Sequence, residues 1–269
     1  MEEQKNRREN VNILIDNLTL FDDDLMSRVF DQNIEATELI LRIILERDIK
    51  VINVEGQEEF KNHDVKGRNI TLDVHAIDVN GEEINIEVQG NSEGAHIRRA
   101  RFHSSMIDSR MLKEKQKFKD LKDSYVIFIY KRDKFKKGLP IYHIDRYVRE
   151  TNDLYDDGSH IIYVNGSYKG DDEIGKLIED FHQTNPQKMN YGELAKGVEH
   201  FKETERGRDQ MCEAVEQFAK EYADEEIMKS QINNVQNLMD NVNFTLEQAL
   251  DALKIQGHER EVIIEHFKK

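Results

Sequence analysis

The sequence predicts an α/β fold, with an αβββαβ core over roughly residues 26–131 and a helical C-terminal region. Three observations lead to this prediction. An amphipathic helical pattern precedes a hairpin in which polar and apolar residues alternate. A second helical pattern precedes a near-continuous apolar segment that is typical of a buried central strand. Beyond Pro186 the strand patterns disappear, and the chain becomes helical, acidic and poor in Gly and Pro.

The composition limits the classes of protein to which this chain can belong. Its 269 residues, 38% of them hydrophobic, can bury one sizeable core and a smaller second unit. The single cysteine, Cys212, excludes an intrachain disulfide and a Cys/His zinc site. No apolar run approaches the ~20 residues of a membrane span, and the opening MEEQKNRREN lacks the apolar stretch of a secretory signal. We therefore expect a cytoplasmic protein that does not contact a membrane.

The net charge of −15 argues against a polyanionic partner, but the charge is unevenly distributed. Residues 96–137 contain fourteen Lys and Arg against five acids, a local charge of +9. Taken alone, such a segment is most often a solvated helix and loop. It directly follows a hairpin rich in carboxylates, however, which makes a nucleic-acid contact a competing interpretation.

The first part of the chain contains one clear helical pattern. Residues 1–25 are polar with scattered apolar positions and are interpreted as an N-terminal arm or short helix. The segment IEATELILRIIL, residues 34–45, places Ile34, Thr37, Leu41 and Ile44 on one stripe, with Ile40 beside it. A short strand is predicted for VINV at 51–54, and a polar connection follows at 57–69.

The most informative segment is ITLDVHAIDVNGEEINIEVQ, residues 70–89, which predicts two strands around Asn80-Gly81. On both strands the even-numbered positions are apolar, and the odd-numbered positions, except Ile77, are polar. We therefore expect one face of the hairpin to lie in the core and the other to face solvent.

The register of this hairpin follows from strand alternation. Residues paired across antiparallel strands lie on the same face. A two-residue loop would pair Val79 with Glu82 and set apolar against polar positions, so we reject it. A three-residue loop pairs Asp78 with Glu82, needs a left-handed Gly81, and places Asp73 directly opposite Glu87.

The rest of the chain supplies the remaining predicted elements. A helix is predicted over 95–112, a central strand over 124–131, and short strands at 140–144 and 160–164. A long helix is expected to cover much of 190–222. Thr245 and Gln248 form a capping-box pattern that starts a helix through Leu253, and Gly257 marks a turn before the final helix.

The pair formed by Asp73 and Glu87 is the candidate metal site. Two carboxylates held across a strand pair repel each other unless a cation or a proton intervenes. Hard divalent ions favour carboxylate and carbonyl oxygens, and the carbonyl of Val88 could add a third ligand. Such an ion polarises a phosphoryl oxygen and lowers the pKa of a bound water, and phosphodiester hydrolysis needs both effects.

A plainer interpretation competes with this site. The chain has 54 acids, so acidic residues that merely decorate a solvent-facing sheet are expected to pair by chance. For His75, on the same face as the pair, we expect a surface or supporting role rather than metal ligation.

The hairpin LDVHAIDVNGEEINIEVQ lies between the segments FDQNIEATELILRIIL and HIRRARFHSSMIDSRML. Together these segments resemble the recombination-promoting nuclease and transposase-like branch of the PD-(D/E)XK nuclease superfamily, over about residues 26–205. The resemblance implies a PD-(D/E)XK nuclease-like core at 26–185, after the arm at 1–25 and before a helical C-terminal region at 186–269. It also implies a DNA endonuclease that uses Mg²⁺, or Mn²⁺ or Ca²⁺.

The resemblance assigns roles to individual residues. Asp73 and Glu87 take the acidic positions, and Gln89 stands where most members have lysine, as is common in this branch. Glutamine can orient a water or a phosphate but carries no charge, so Arg98, Arg99 and Arg101 are the expected DNA contacts and sources of positive charge. Members often have an acid on the first core helix, for which Glu38 is chosen over Glu35. Leu72 replaces the proline of the superfamily name.

The expected partner is DNA, and the expected chemistry is in-line attack of a metal-activated water. Cleavage of both strands would usually need two sites, so a homodimer is a further expectation. The main alternative is a catalytically silent DNA-binding or oligomerisation module on the same fold.

Overall fold

The computed structural model of this chain describes residues 2–62, 67–90 and 96–267. The helices of this part are α1 (Glu2–Asn17), α2 (Asp23–Phe30), α3 (Ile34–Leu45), α4 (Ile97–Met111), α5 (Glu173–His182), α6 (Gly192–Glu203), α7 (Glu205–Val242), α8 (Leu246–Ala252) and α9 (Gly257–Phe267). The strands are β1 (Val51–Phe60), β2 (Ile70–Asp78), β3 (Glu83–Gln89), β4 (Ser124–Tyr130), β5 (Ile141–Ile144), β6 (Tyr147–Val148), β7 (Asp153–Leu154) and β8 (Ser159–Asn165).

The predicted αβββαβ order is confirmed by α3, β1, β2, β3, α4 and β4. These strands belong to a six-stranded mixed sheet with the order β1-β2-β3-β4-β8-β5. Strands β1, β2 and β3 run antiparallel, whereas β3, β4 and β8 are parallel. The carboxyl ends of β3, β4 and β8 therefore meet at one edge of the sheet, where ligands of such sheets commonly bind.

The first strand is longer than the sequence predicts. It extends from Val51 to Phe60 and pairs with β2, although its second half lies in the segment predicted as a polar connection. Its position at the edge of the sheet explains the difference, because Glu55, Gln57 and Glu59 are exposed while their backbone joins the ladder. Backbone pairing overrides a weak strand pattern here.

The predicted register of the hairpin is confirmed. Val74 pairs with Ile86 and His75 with Asn85, as predicted, but the ladder ends at Val74 and Ile86, so it does not include the expected pair of Asp73 and Glu87. The amide of Asp78 donates to the carbonyl oxygen of Glu82 at 3.1 Å, which closes the three-residue loop. Gly81 has the positive φ of 80° that this loop requires.

The expectation of a solvent-facing side of the hairpin is wrong. Asp73, His75, Asn85 and Glu87 are all buried. Alternation along the strands separated the polar from the apolar residues, but it did not reveal that the polar side is covered as well. Helix α4 packs on this side of the sheet, against β4 and β8.

The central strand β4 is buried on both faces, as predicted, from Val126 to Tyr130. On one face it joins an apolar cluster that includes Ala100 and Ile107 of α4, together with Phe60, Ile70, Leu72, Phe128 and Tyr163. Helix α3 packs against β1, α5 and α6. The sheet is thus held between helices.

The long helix expected over 190–222 is divided into two helices. Helix α6 ends at Glu203, and α7 begins at Glu205 after Thr204, whose amide donates to the carbonyl of His200 at 3.3 Å. A Cβ on Gly207 would lie 2.0 Å from the same carbonyl oxygen. The helices approach so closely at this junction that only glycine fits at position 207.

The chain divides into two compact units, Met1–Cys212 and Glu213–Lys269. The second unit has its own apolar cluster, formed by Val235, Ala249, Leu250, Ile255 and Ile263. The predicted capping box is present, because Thr245 and Gln248 exchange hydrogen bonds between side chain and backbone. In the described residues no helix has both the length and the apolar character that crossing a membrane requires.

Candidate active site

The two candidate carboxylates, Asp73 and Glu87, lie where strands β2 and β3 stop pairing. The ladder ends at Val74 and Ile86, and beyond it the amide of Val88 donates to Oδ2 of Asp73 at 3.0 Å. The amide of Asp73 in turn contacts Oε1 of Glu87 at 3.4 Å. We call these two side chains the carboxylate pair. They are 7% and 0% exposed, so the pair is held away from bulk water.

Helix α4 supplies the groups that surround Glu87. Nη2 of Arg99 lies 2.6 Å from Oε2 of Glu87, and Nδ1 of His103 lies 3.4 Å from Oε1. Asn85, two residues before Glu87 on β3, donates to Oε1 at 3.0 Å. Sequence reasoning proposed Arg99 but missed His103 and Asn85. Their signals were the spacing of four residues from Arg99 to His103 on one helix face, and the strand face that Asn85 shares with Glu87.

These surroundings separate the acidities of the two carboxyl groups. Burial, and then the charges of Glu87 and Asp23, raises the pKa of Asp73 to about 8. Burial alone would also raise the pKa of Glu87, but hydrogen bonds from His103 and Asn85 and the charges of His103 and Arg99 lower it below its ordinary value. Near neutral pH, one proton on the pair would therefore reside on Asp73.

The structure does not bring Glu38 of α3 to the pair. Its carboxylate accepts a hydrogen bond at 2.9 Å from the amide of Val51, at the start of β1. Val51 pairs with Asp78, five residues from Asp73 along β2, which corresponds to about 17 Å. Glu35 is exposed near the beginning of α3. Neither helix acid occupies the position that the resemblance implied.

Asp23, the first residue of α2, is the helix acid that interacts with the pair. Asp23 is exposed at the surface, but partial desolvation, and then the charges of Asp24 and Glu87, raises its pKa, and its own charge contributes to the raised pKa of Asp73. The carbonyl of Phe21 lies close to Gly90 at the end of β3, which places this turn beside the site. Sequence reasoning treated residues 1–25 as an arm. The acidic run Asp22–Asp24 before an apolar stripe was the helix-start signal that could have revealed it.

A cleft of about 990 Å³ opens beside the pair, and Asp73 is the member of the pair that lines it. We call it the arginine cleft, because four arginines line it together with Asp73 and His103: Arg68, Arg98, Arg99 and Arg101. The three arginines predicted from the sequence thus lie together, and Arg68 joins them from the segment before β2. Gln89 is half-buried at the end of β3, on the strand face of Glu87 by alternation, and its carbonyl accepts from the amide of Lys131 at 2.9 Å.

His75 belongs to a separate arrangement. Its Nδ1 lies 2.6 Å from Glu58, and its Nε2 lies 3.1 Å from Glu83. Burial would lower the pKa of His75, but the hydrogen bonds to Glu83 and Glu58 outweigh it and raise the pKa. We call these three residues the histidine cluster. Of the two roles expected for His75, the surface position is wrong, because the side chain is buried against Phe60 and both ring nitrogens contact carboxylates.

The pair fits a hard divalent ion in its donor chemistry but does not form a complete ligand cage. In the described part of the chain, no three His, Cys, Asp or Glu side chains converge on a possible metal position. The second oxygen of Asp73 accepts no hydrogen bond from the described residues, whereas both oxygens of Glu87 are engaged. Arg99 is the cation that balances Glu87 here, so binding of a metal to Glu87 would require Arg99 to move.

Comparison with known protein families finds a match that covers most of the chain. A family model described as PD-(D/E)XK nuclease family transposase matches residues 31–249. The matched range contains the carboxylate pair, Gln89 and the arginines of the cleft. No curated protein and no solved structure matches the chain.

Proposed function

This chain belongs to the PD-(D/E)XK nuclease family transposases, and from that premise we propose that it is a Mg²⁺-dependent DNA endonuclease of the recombination or mobile-element type. The observation that carries the proposal is a buried carboxylate pair of which one member, Asp73, lines a cleft that also contains four arginines. Two adjacent acids attract a divalent cation, and arginines attract phosphates. Phosphodiester hydrolysis needs both groups at one place.

The residues of the site have distinct proposed roles. Asp73, Glu87 and the carbonyl of Val88 would hold the ion, which when bound polarises a phosphoryl oxygen and lowers the pKa of a water. Gln89 would orient that water or the phosphate through its amide. Arg98 and Arg101 would bind the phosphates that flank the scissile bond. Arg99, released from Glu87, would pair with the negative charge that develops on the phosphate.

A helix acid completes this proposal. PD-(D/E)XK nucleases generally use divalent metal ions, and a third carboxylate near the pair would strengthen the field that attracts them. We assign this role to Asp23 rather than Glu38, because Asp23 interacts electrostatically with both members of the pair, whereas the carboxylate of Glu38 accepts a hydrogen bond from the amide of Val51. Glu38 instead has a structural role, because this hydrogen bond joins α3 to the start of β1.

Nicking of supercoiled plasmid with and without Mg²⁺ tests the proposal. We expect wild type to nick only with the metal, and Glu87→Gln to lose activity by more than about 100-fold, beyond the loss typical of residues that only support metal ligands. Asp23→Asn should reduce the rate, whereas Glu38→Gln, the matched loss of one helix acid, should leave it near wild type. If folded wild type binds DNA but never nicks it with Mg²⁺ or Mn²⁺, the chain is a silent DNA-binding module instead.

A further inference from the structure

The loop that leaves strand β4 carries a dense positive charge beside the site. Residues 131–137, KRDKFKK, contain five basic residues and one acid, and we call this segment the basic loop. It begins at the edge where the parallel strands end, since the amide of Lys131 donates to the carbonyl of Gln89. The basic loop is therefore one hydrogen bond away from the strand that carries Glu87.

The acid of the basic loop is used internally. Asp133 accepts hydrogen bonds from the amides of Phe135, Lys136 and Gly138, at 3.0, 2.9 and 2.7 Å, and from the hydroxyl of Tyr142 at 2.8 Å. Burial would raise the pKa of Asp133, but these hydrogen bonds lower it. The carboxylate thus fixes the backbone of the loop and is engaged by backbone amides rather than by the lysines.

An aromatic side chain fixes the loop on the same face of the sheet as α4. The ring of Phe135 lies 4.8 Å from Tyr142 and 5.5 Å from Tyr163. Tyr163 stacks on Phe128 at 5.3 Å, and Phe128 pairs with Glu87 in the register of β3 and β4. The basic loop and the arginine cleft are thus anchored to one apolar cluster on the side of the sheet that carries the carboxylate pair.

The cations of this ordered loop are available to a ligand. Lys131, Arg132, Lys136 and Lys137 are exposed. Within the described part of the chain, none of the five basic side chains forms an ion pair with a carboxylate, although Lys131 and Lys134 lie over the rings of Phe21 and Tyr130. Because the backbone is already fixed, binding an anion would order little more than the side chains themselves.

We propose that the basic loop is a second contact for the phosphate backbone of duplex DNA, beside the scissile phosphate in the arginine cleft. The inference rests on the proposed function for the position of that phosphate. A polyanion is favoured over a single phosphate because the loop presents several separate cations rather than one enclosed pocket. Since the rest of the chain is strongly acidic, the loop and the cleft would also orient the duplex by attraction on one side and repulsion elsewhere.

The test compares two variants that each lose three positive charges. One is Arg132→Gln, Lys136→Gln, Lys137→Gln in the basic loop, where the fixing hydrogen bonds use backbone amides and remain. The control is Lys113→Gln, Lys115→Gln, Lys119→Gln, at exposed lysines between α4 and the amino end of β4, away from the edge at which Gln89 lies. Binding to a short fluorescein-labelled duplex is measured by anisotropy in EDTA over a series of salt concentrations, after melting curves confirm that both variants are folded.

The loop variant should lower the slope of log K against log[salt] by about 2 to 3 units, because each lost phosphate contact removes about 0.9 unit. The control should change it by less than about one unit. A loop variant with the slope of wild type, or a control that loses as much as the loop variant, overturns the inference.

Plasmid nicking separates this inference from the proposed function. If wild type nicks DNA while the loop variant binds like wild type, the endonuclease assignment stands and the loop contact fails. If wild type never nicks DNA but its binding depends on the loop, the contact stands and the endonuclease assignment fails. Inorganic phosphate that competes as well as DNA at equal ionic strength would show an anion site without a duplex contact, which also overturns the inference.

Discussion

The carboxylate pair and the histidine cluster both contain strand β2, on which Asp73 and His75 are two residues apart, and in each two acids meet one basic side chain, but the basic side chain is placed differently. In the histidine cluster, the buried imidazole lies between Glu58 and Glu83, so each acid contacts a ring nitrogen within 3.1 Å. In the carboxylate pair, two buried acids lie side by side, and a single arginine, 35% exposed, approaches from the cleft. The histidine cluster therefore has its base enclosed by its two acids, whereas the carboxylate pair is open to the cleft at Asp73.

This difference separates a stabilising cluster from a candidate active site within one sheet. The histidine cluster places its base between its two acids and should stabilise the sheet. The carboxylate pair brings two acids side by side in a site of low polarity, which costs stability unless a proton or a cation is bound. Carboxyl groups with perturbed pKa values in a cleft are typical of functional sites.

The largest change in the free energy of unfolding should come from removing the imidazole of the histidine cluster. His75→Leu removes the basic group that contacts both Glu58 and Glu83 and leaves two partly buried acids without it. We expect a loss of about 2–3 kcal/mol, below the 3–5 kcal/mol of a fully buried pair because both acids are partly exposed. Urea denaturation at pH 6 measures it, with His143→Leu, an exposed histidine of β5, as the control. Equal stabilities for both variants would show that the cluster does not stabilise the sheet.

The carboxylate pair should respond in the opposite direction. The pKa of Asp73 is raised in the folded chain, so folding favours the protonated carboxyl group. Protonation of Asp73 therefore contributes its full share to the free energy of unfolding below the unfolded pKa near 4, and this share is lost as the pH rises through about 8. Asp73→Asn removes the titrating group and should be more stable than wild type in EDTA by at least about 1 kcal/mol at pH 8, since one pKa unit corresponds to ~1.4 kcal/mol.

Denaturation of wild type and Asp73→Asn from pH 4 to pH 9 checks this prediction. The stability difference should grow across this range and level off above pH 8. The exposed acid Glu59 provides the control, because Glu59→Gln should show no such growth. A difference that shrinks with rising pH would mean that folding stabilises Asp73 as an anion. The ionised pair would then not lower the stability of the fold, and the prediction would be refuted.

The smallest effect should come from adding metal without DNA. At three times its dissociation constant, a divalent ion that binds only the folded chain stabilises it by about 0.8 kcal/mol. Mg²⁺ or Mn²⁺ should therefore raise the melting temperature of wild type but not of Asp73→Ala. His75→Leu should keep the shift, because the histidine cluster directs its nitrogens away from the pair. Equal shifts in wild type and Asp73→Ala would place the metal elsewhere.

Strand parity allowed much of the site to be predicted. Because side chains alternate with a period of two, the sequence ITLDVHAIDVNGEEINIEVQ admits one register that keeps its apolar residues together, and this register placed Asp73 opposite Glu87 and a left-handed glycine at 81. Arg98, Arg99 and Arg101 were chosen from the family resemblance and from their place in the chain directly after that hairpin. The register and the turn are local features, so the order of residues along two strands was sufficient to predict them.

Only the tertiary structure decided which polar residues are buried and which acids meet. Covering of the hairpin by α4 buries Asp73 and Glu87, and this packing perturbs their acidities. Asp23 interacts electrostatically with the pair from a segment fifty residues earlier in the chain, whereas Glu38 contacts Val51 instead, although its helix was recognised. A periodic pattern reports which side of an element a residue occupies, but burial and contact between distant segments depend on how elements pack, and the pattern of a single element carries no information about its neighbours.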